Sequence, residues 1–290
     1  MTTKGWSREQ VRADGLLGEL YVPDGGERAE APALVIMPSS AGVCDIRERF
    51  YAGYFAERGC RCLIADAYAR RGLHQCMTDQ TLLGDRDMLE DARAAFRWLT
   101  ERGNTRIGIL GVSKGGQAAL NAAMSPMPGL DVPGTPDVGA FAVHICLAPS
   151  CAVQLRHPRT TGAPILMLLG GRDDYTGTAP ALRYAARITT SPVETVVFPE
   201  ARHAWELCGE PQFYPQAECY ADRLFSLEDD GSITDDATGE TFSTEAFRRR
   251  QRSFARYGAH AGGGTGALRR QGCETILAFM RRTGFLPERG

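Results

Sequence analysis

Short, almost uninterrupted apolar runs alternate along this chain with segments of helical character, and that rhythm limits the folds open to it. Leu16 to Val22 and Ala31 to Met37 read as strands separated by a Pro-Asp-Gly-Gly turn. Cys60 to Ala65, Arg106 to Val112, Val138 to Leu147, Pro164 to Leu169 and Val193 to Phe198 read the same way. Between them Arg47 to Arg58, Asp85 to Glu101, Gln117 to Ala123 and Pro180 to Ile188 read as helices, and Gly266 to Thr283 as a last amphipathic one. Within Asp85 to Glu101, Met88, Leu89, Ala92, Ala95, Phe96 and Leu99 recur at helical spacing. Strands that alternate with helices build βαβ units and pair in parallel, and strands apolar along their whole length need cover on both faces. The expectation is an α/β fold: a mostly parallel, doubly wound sheet with helices on both faces, in one domain over residues 1–290. Leu207 to Ala261 breaks the rhythm with proline, tyrosine, an acidic patch and the run Arg248-Arg249-Arg250. It reads as a late insertion with a hairpin near Gly231 to Gly239, either lining the mouth of a site or elaborating the surface.

Composition narrows the chemistry. A formal net charge of −2 gives no reason to expect nucleic acid or an anionic membrane as partner. The first ten residues hold no apolar core of a signal peptide, and no apolar run reaches the length of a membrane span, so a cytoplasmic protein is expected. Nine scattered cysteines, with no C-x-x-C pair, fit reduced thiols packed in the core, which disfavours a disulfide between Cys208 and Cys219. No metal or cofactor is implied. Glycines 262–264 and 266 follow no strand and read as a flexible connection rather than a phosphate loop. No G-x-G-x-x-G follows the first strands, and with lysine only at Lys4 and Lys114 no Tyr-x-x-x-Lys pair exists, which disfavours a nicotinamide enzyme.

The segment Arg106 to Ala123 changes from apolar strand to Ala/Leu-rich helix across Gly111-Val112-Ser113-Lys114-Gly115-Gly116. G-x-S-x-G between a strand and a helix is the signature of a nucleophile elbow, in which a strained turn lifts the serine hydroxyl clear of the sheet. The bland alternative is a Gly-lined turn with Ser113 capping the helix. In this architecture an elbow serine is followed in the chain by its acid and then its base. Asp173 follows the run ending at Leu169, in Gly170-Gly171-Arg172-Asp173-Asp174-Tyr175-Thr176, with Asp174 the alternative. His203 follows the next strand, in Pro199-Glu200-Ala201-Arg202-His203-Ala204. His203 would take the proton from Ser113 and Asp173 would fix its tautomer. His144 sits inside an apolar run and reads as a core histidine, whereas His74, His157 and His260 follow no late strand. The backbone N–H of Lys114 would face an oxyanion at the helix N-terminus. A second donor should come from Pro38-Ser39-Ser40-Ala41-Gly42, with Ser40 preferred over Ser39.

With these residues placed, the chain resembles the dienelactone hydrolase family of α/β-hydrolases from about Leu16 to Trp205 and over the last helix. The elbow, the Gly-Gly-Arg-Asp segment and the His203 segment carry the resemblance, together with Ala65-Asp66-Ala67-Tyr68-Ala69-Arg70-Arg71-Gly72. The resemblance selects the first aspartate, Asp173, as the acid, and it implies that Arg70 binds a substrate carboxylate. The archetype has a cysteine where this chain has Ser113, and its oxyanion loop begins with histidine where this chain has Pro38-Ser39. The expected function is hydrolysis of a small-molecule ester or lactone, one that can carry a carboxylate, through an acyl-enzyme on Ser113. The same triad would serve a thioesterase, peptidase or acyl transferase in a biosynthetic pathway, and a hydrolase fold can also bind a ligand without catalysis.

Overall fold

A strand that is apolar along its whole length can only sit where helices cover both of its faces, and the apolar runs take that position. A computed structural model of the chain describes residues 5–25, 31–127 and 140–287. Nine strands precede residue 200: β1 (Trp6–Ala13), β2 (Leu16–Pro23), β3 (Ala33–Met37), β4 (Arg61–Ala65), β5 (Ile107–Val112), β6 (His144–Leu147), β7 (Val153–Leu155), β8 (Ile165–Gly170) and β9 (Val193–Phe198). All but β7 join one sheet in the order β1-β2-β4-β3-β5-β6-β8-β9. β1 and β2 run antiparallel to their neighbours and the others are parallel. Every residue of β3, β4, β5, β6 and β8 is buried.

Helices α1 (Glu48–Ala56), α2 (Asp85–Glu101), α3 (Lys114–Asn121) and α4 (Thr178–Arg187) alternate with these strands. The stretch expected to be an insertion adds β10 (Gln212–Cys219), β11 (Phe225–Leu227), β12 (Ile233–Asp235), β13 (Thr241–Phe242), α5 (Thr244–Arg250) and β14 (Arg256–Ala261), and α6 (Gly266–Arg282) closes the fold. Because side chains alternate along a strand, the sheet feeds two cores. Val35, Ile109 and Met167 point to one face with residues of α2, α3 and α4. Ile36, Leu110 and Leu168 point to the other with residues of α1 and α6.

The insertion makes small sheets of its own. β10 pairs with β14, and β13-β12-β11 extends onto β7. The expected hairpin is there: β12 and β13 pair antiparallel across a turn at Gly239, where φ is 74°. β1 was not legible as a strand, because only Val11 of its eight residues is buried. α3 starts at Lys114, three residues ahead of the Ala/Leu run. The expected strand Val138 to Leu147 is observed over His144–Leu147, and residues 138 and 139 lie outside the described residues. All nine cysteines are free, Cys208 and Cys219 included.

Candidate active site

β5 ends at Val112 and α3 begins at Lys114, so Ser113 alone must redirect the chain. It does so at φ 57° and ψ −117°, where L-residues are rarely found. The adjacent glycines follow from close backbone approach. A Cβ on Gly111 would stand 2.0 Å from the carbonyl oxygen of Gly115, and one on Gly115 would stand 2.2 Å from that of Met37 and 2.8 Å from that of Pro38. The second contact sets the start of α3 against the loop after β3. The N–H of Lys114, the first of the helix, has no intrahelical acceptor.

That loop is tied internally. The N–H of Ser39 donates to Glu48 Oε1 at 3.1 Å, that of Ala41 to Ser39 Oγ at 3.1 Å, and that of Gly42 to the Ser39 carbonyl at 3.0 Å. No acceptor among the described residues takes the N–H of Ser40. Ser40 is buried, and the buried Tyr175 hydroxyl faces it and Gln80 without completing a hydrogen bond to either. Burial pushes that phenol up to about 12, against the opposing pull of Ser40 and Gln80.

Asp173 follows β8 and His203 follows β9, adjacent strands of the sheet, which brings them to the same sheet end as Ser113. His203 Nδ1 lies 2.8 Å from Asp173 Oδ2, with both side chains almost fully buried. The N–H groups of Tyr175 and Thr176 donate to Asp173 Oδ1 at 2.8 and 2.9 Å, and Thr176 Oγ1 donates to Oδ2 at 2.8 Å. Burial works to raise the Asp173 pKa, but the charge and hydrogen bond of His203 and the Thr176 donors outweigh it and hold it at about 2. An ionised Asp173 accepts from Nδ1–H, which leaves Nε2 of a neutral His203 free to take a proton. The Tyr175 ring packs on the imidazole with centroids 4.7 Å apart.

Ser113, Lys114, Tyr175 and Thr176 line one cavity of about 670 Å³, the solvent at its mouth included. The insertion supplies part of its wall through Tyr220, Phe225, Phe247 and Gln251. Asp174 faces elsewhere: its carboxylate holds the N–H of His260 at 2.9 Å and His260 Nδ1 at 2.7 Å, fastening β14. His144 is wholly buried with Nδ1 on the Ala119 carbonyl at 2.8 Å, and burial lowers its pKa to about 4.

Arg70 is engaged in an ion pair outside the Asp173–His203 pair. Its Nη1 and that of Arg71 each lie 2.5 Å from an oxygen of Asp91 on α2. Sequence reasoning placed no role on Thr176, although it fixes the acid, nor on Glu48, which holds the loop of Ser39. An acid in the first turn of the helix that follows the Ser39–Gly42 loop was the available signal for Glu48.

The family model described as the dienelactone hydrolase family matches residues 18–224. The chain belongs to the dienelactone hydrolase family. Its fold is that of the α/β-hydrolases. Esterase 2 of Thermogutta terrifontis, solved phosphonylated by cyclosarin, is similar with a TM-score of 0.62 at 18% identity, covering 98% of this chain and 97% of that one. MGS-M1, an α/β-hydrolase enzyme from a Medee basin deep-sea metagenome library, is similar with a TM-score of 0.52 at 17% identity, covering 70% of this chain and 86% of that one. No curated protein matches the sequence significantly. In this dienelactone hydrolase family member no described helix is long and apolar enough to cross a membrane.

Proposed function

We propose that this family member is a serine hydrolase that cleaves an ester or lactone through an acyl-enzyme on Ser113. The observation that carries the reading is the buried Asp173–His203 pair at the sheet end where Ser113 is held at a positive φ. His203 Nε2 removes the hydroxyl proton as Ser113 Oγ adds to the carbonyl carbon, and Asp173 stabilises the imidazolium. The oxyanion is held by the N–H groups of Lys114 and Ser40. Collapse expels the alkoxide leaving group with the proton from His203. Water, deprotonated by His203, then attacks the acyl-enzyme, releases the acid and restores Ser113. Arg70 is left outside this machinery because Asp91 already engages its guanidinium.

The structural neighbour phosphonylated by cyclosarin supports a test with an organophosphorus probe. Intact mass after fluorophosphonate treatment should show one adduct on the wild type and none on Ser113→Ala. Turnover of a short-chain p-nitrophenyl ester should fall on the order of a million-fold in that variant. A wild type that takes no adduct would sink the mechanism and favour ligand binding. An adduct without ester turnover would keep Ser113 as nucleophile and point to acyl transfer or a narrower substrate.

A further inference from the structure

Beneath the loop of Ser39 and Ser40 lies an ion pair that the proposed reaction does not use. Arg47 and Glu48 open α1, and their side chains are only 5% and 1% exposed. Glu48 Oε1 accepts from the N–H of Ser39 at 3.1 Å and from Arg47 Nε at 2.8 Å, and Oε2 accepts from the N–H of Cys44 at 3.0 Å. Arg47 Nη2 donates to the carbonyl of Gly42 at 3.3 Å. One carboxylate thus holds the chain on both sides of Ser40, at Ser39 and Cys44, and the guanidinium bound to it holds Gly42 between them. Arg47 also attracts the carboxyl of Glu206, wholly buried three residues beyond His203.

A buried ion pair is weak evidence for stability, since apolar residues of similar volume often serve as well. A glutamate in the first turn of a helix gains from the helix dipole without any loop contact. Neither consideration explains three donors converging on one carboxylate. The bonding does have a local consequence. The N–H groups of Ser39, Ala41, Gly42 and Cys44 all have acceptors within the loop and Glu48, which leaves that of Ser40 without one among the described residues, in a loop whose Pro38 carbonyl meets the start of α3.

Resting on the acyl-enzyme reading, we propose that Glu48 is a positioning residue of the oxyanion site: by capturing the N–H of Ser39 it fixes the next N–H, that of Ser40, for the substrate oxygen, with Arg47 locking the carboxylate in place. The bonds that matter are stronger in the transition state than in the ground state, so the loss should fall on kcat rather than KM.

The test measures three quantities on wild type, Glu48→Gln and the charge-conserving Glu48→Asp. These are kcat and KM for a p-nitrophenyl ester, and Ki for an aryl trifluoromethyl ketone that forms a tetrahedral adduct on Ser113. Glu48→Gln should lower kcat by about 10- to 100-fold with KM within threefold, and Ki should rise by the factor by which kcat/KM falls. Glu48→Asp, a methylene short, should show the same correlated pattern at smaller size. Folded variants with wild-type kcat and Ki, or with the loss confined to KM, would overturn the proposal. So would failure of both variants to fold, since the pair would then serve the fold alone. Fluorophosphonate labelling of the wild type is read first: no adduct there defeats the acyl-enzyme reading, whereas an adduct with unaltered Glu48 variants defeats only the brace.

Discussion

At the scale of single residues, the site is held by exclusions as much as by contacts. Gly115 leaves no room for a Cβ beside the Met37 carbonyl, so Gly115→Ala must displace either the start of α3 or the loop of Ser40. Overpacking of this kind costs about 1–3 kcal/mol, and kcat should fall by more than the stability loss alone accounts for, which a urea melt paired with ester kinetics would resolve. The two adjacent aspartates should separate cleanly. Asp173→Asn should lower kcat on the order of ten-thousand-fold, as expected when the histidine loses its proper tautomer. Asp174→Asn should cost less than tenfold, because it loosens β14 without touching His203 Nδ1. Glu206 gives a prediction in stability. Among the described residues neither of its oxygens has a hydrogen-bond partner, and burial raises its pKa despite the opposing charge of Arg47. A carboxyl whose folded pKa lies above its unfolded value holds its proton longer in the native state, so its stability penalty grows as pH rises above the unfolded pKa. Glu206→Gln should therefore raise the urea midpoint at pH 8 and leave it nearly unchanged at pH 4.

At the scale of elements, legibility follows burial. β3, β5 and β8 are buried on both faces and carry unbroken apolar runs, so their sequence states their position. With those strands ordered, Asp173 and His203 fall in the loops after β8 and β9, which is why their neighbourhood could be anticipated and is observed as a 2.8 Å contact. β1 exposes seven of its eight residues to some degree and reads like a loop. The partner of Arg70 was hidden for another reason. Asp91 lies on the buried face of α2, and nothing in a helix's own periodicity announces an ion pair with a residue 21 positions earlier. The insertion's strands are two to eight residues long and pair mainly with one another, so no long pattern betrays them. Their effect on the cavity is testable. Phe247 on α5 meets the Phe225 ring at 4.9 Å, and both line the cavity. Phe247→Ala should raise KM for bulkier acyl groups and shift the chain-length preference, as measured across a series of p-nitrophenyl esters.

For the molecule as a whole, acid is the expected weakness. His144 is buried as the neutral imidazole with its pKa lowered to about 4. The unfolded chain binds that proton first, so stability falls as pH drops from about 6.5 toward 4, by about 3 kcal/mol from this group. Asp173, held at about 2, adds a loss at lower pH, as it is protonated between its unfolded value and 2. Urea midpoints taken between pH 7 and 4 should decline in the wild type and flatten in His144→Met, whatever that variant costs in absolute stability. The division of labour between sheet and insertion has a wider reach. Ser113, Asp173 and His203 are seated on loops of the central sheet, while Tyr220, Phe225, Phe247 and Gln251 reach the cavity from a separate stretch of chain. That stretch is nonetheless moored to the same loops, since Ala261 bridges to His203 and His260 is held by Asp174, so a lineage or a designer could vary its wall residues freely only while those two moorings stay in place.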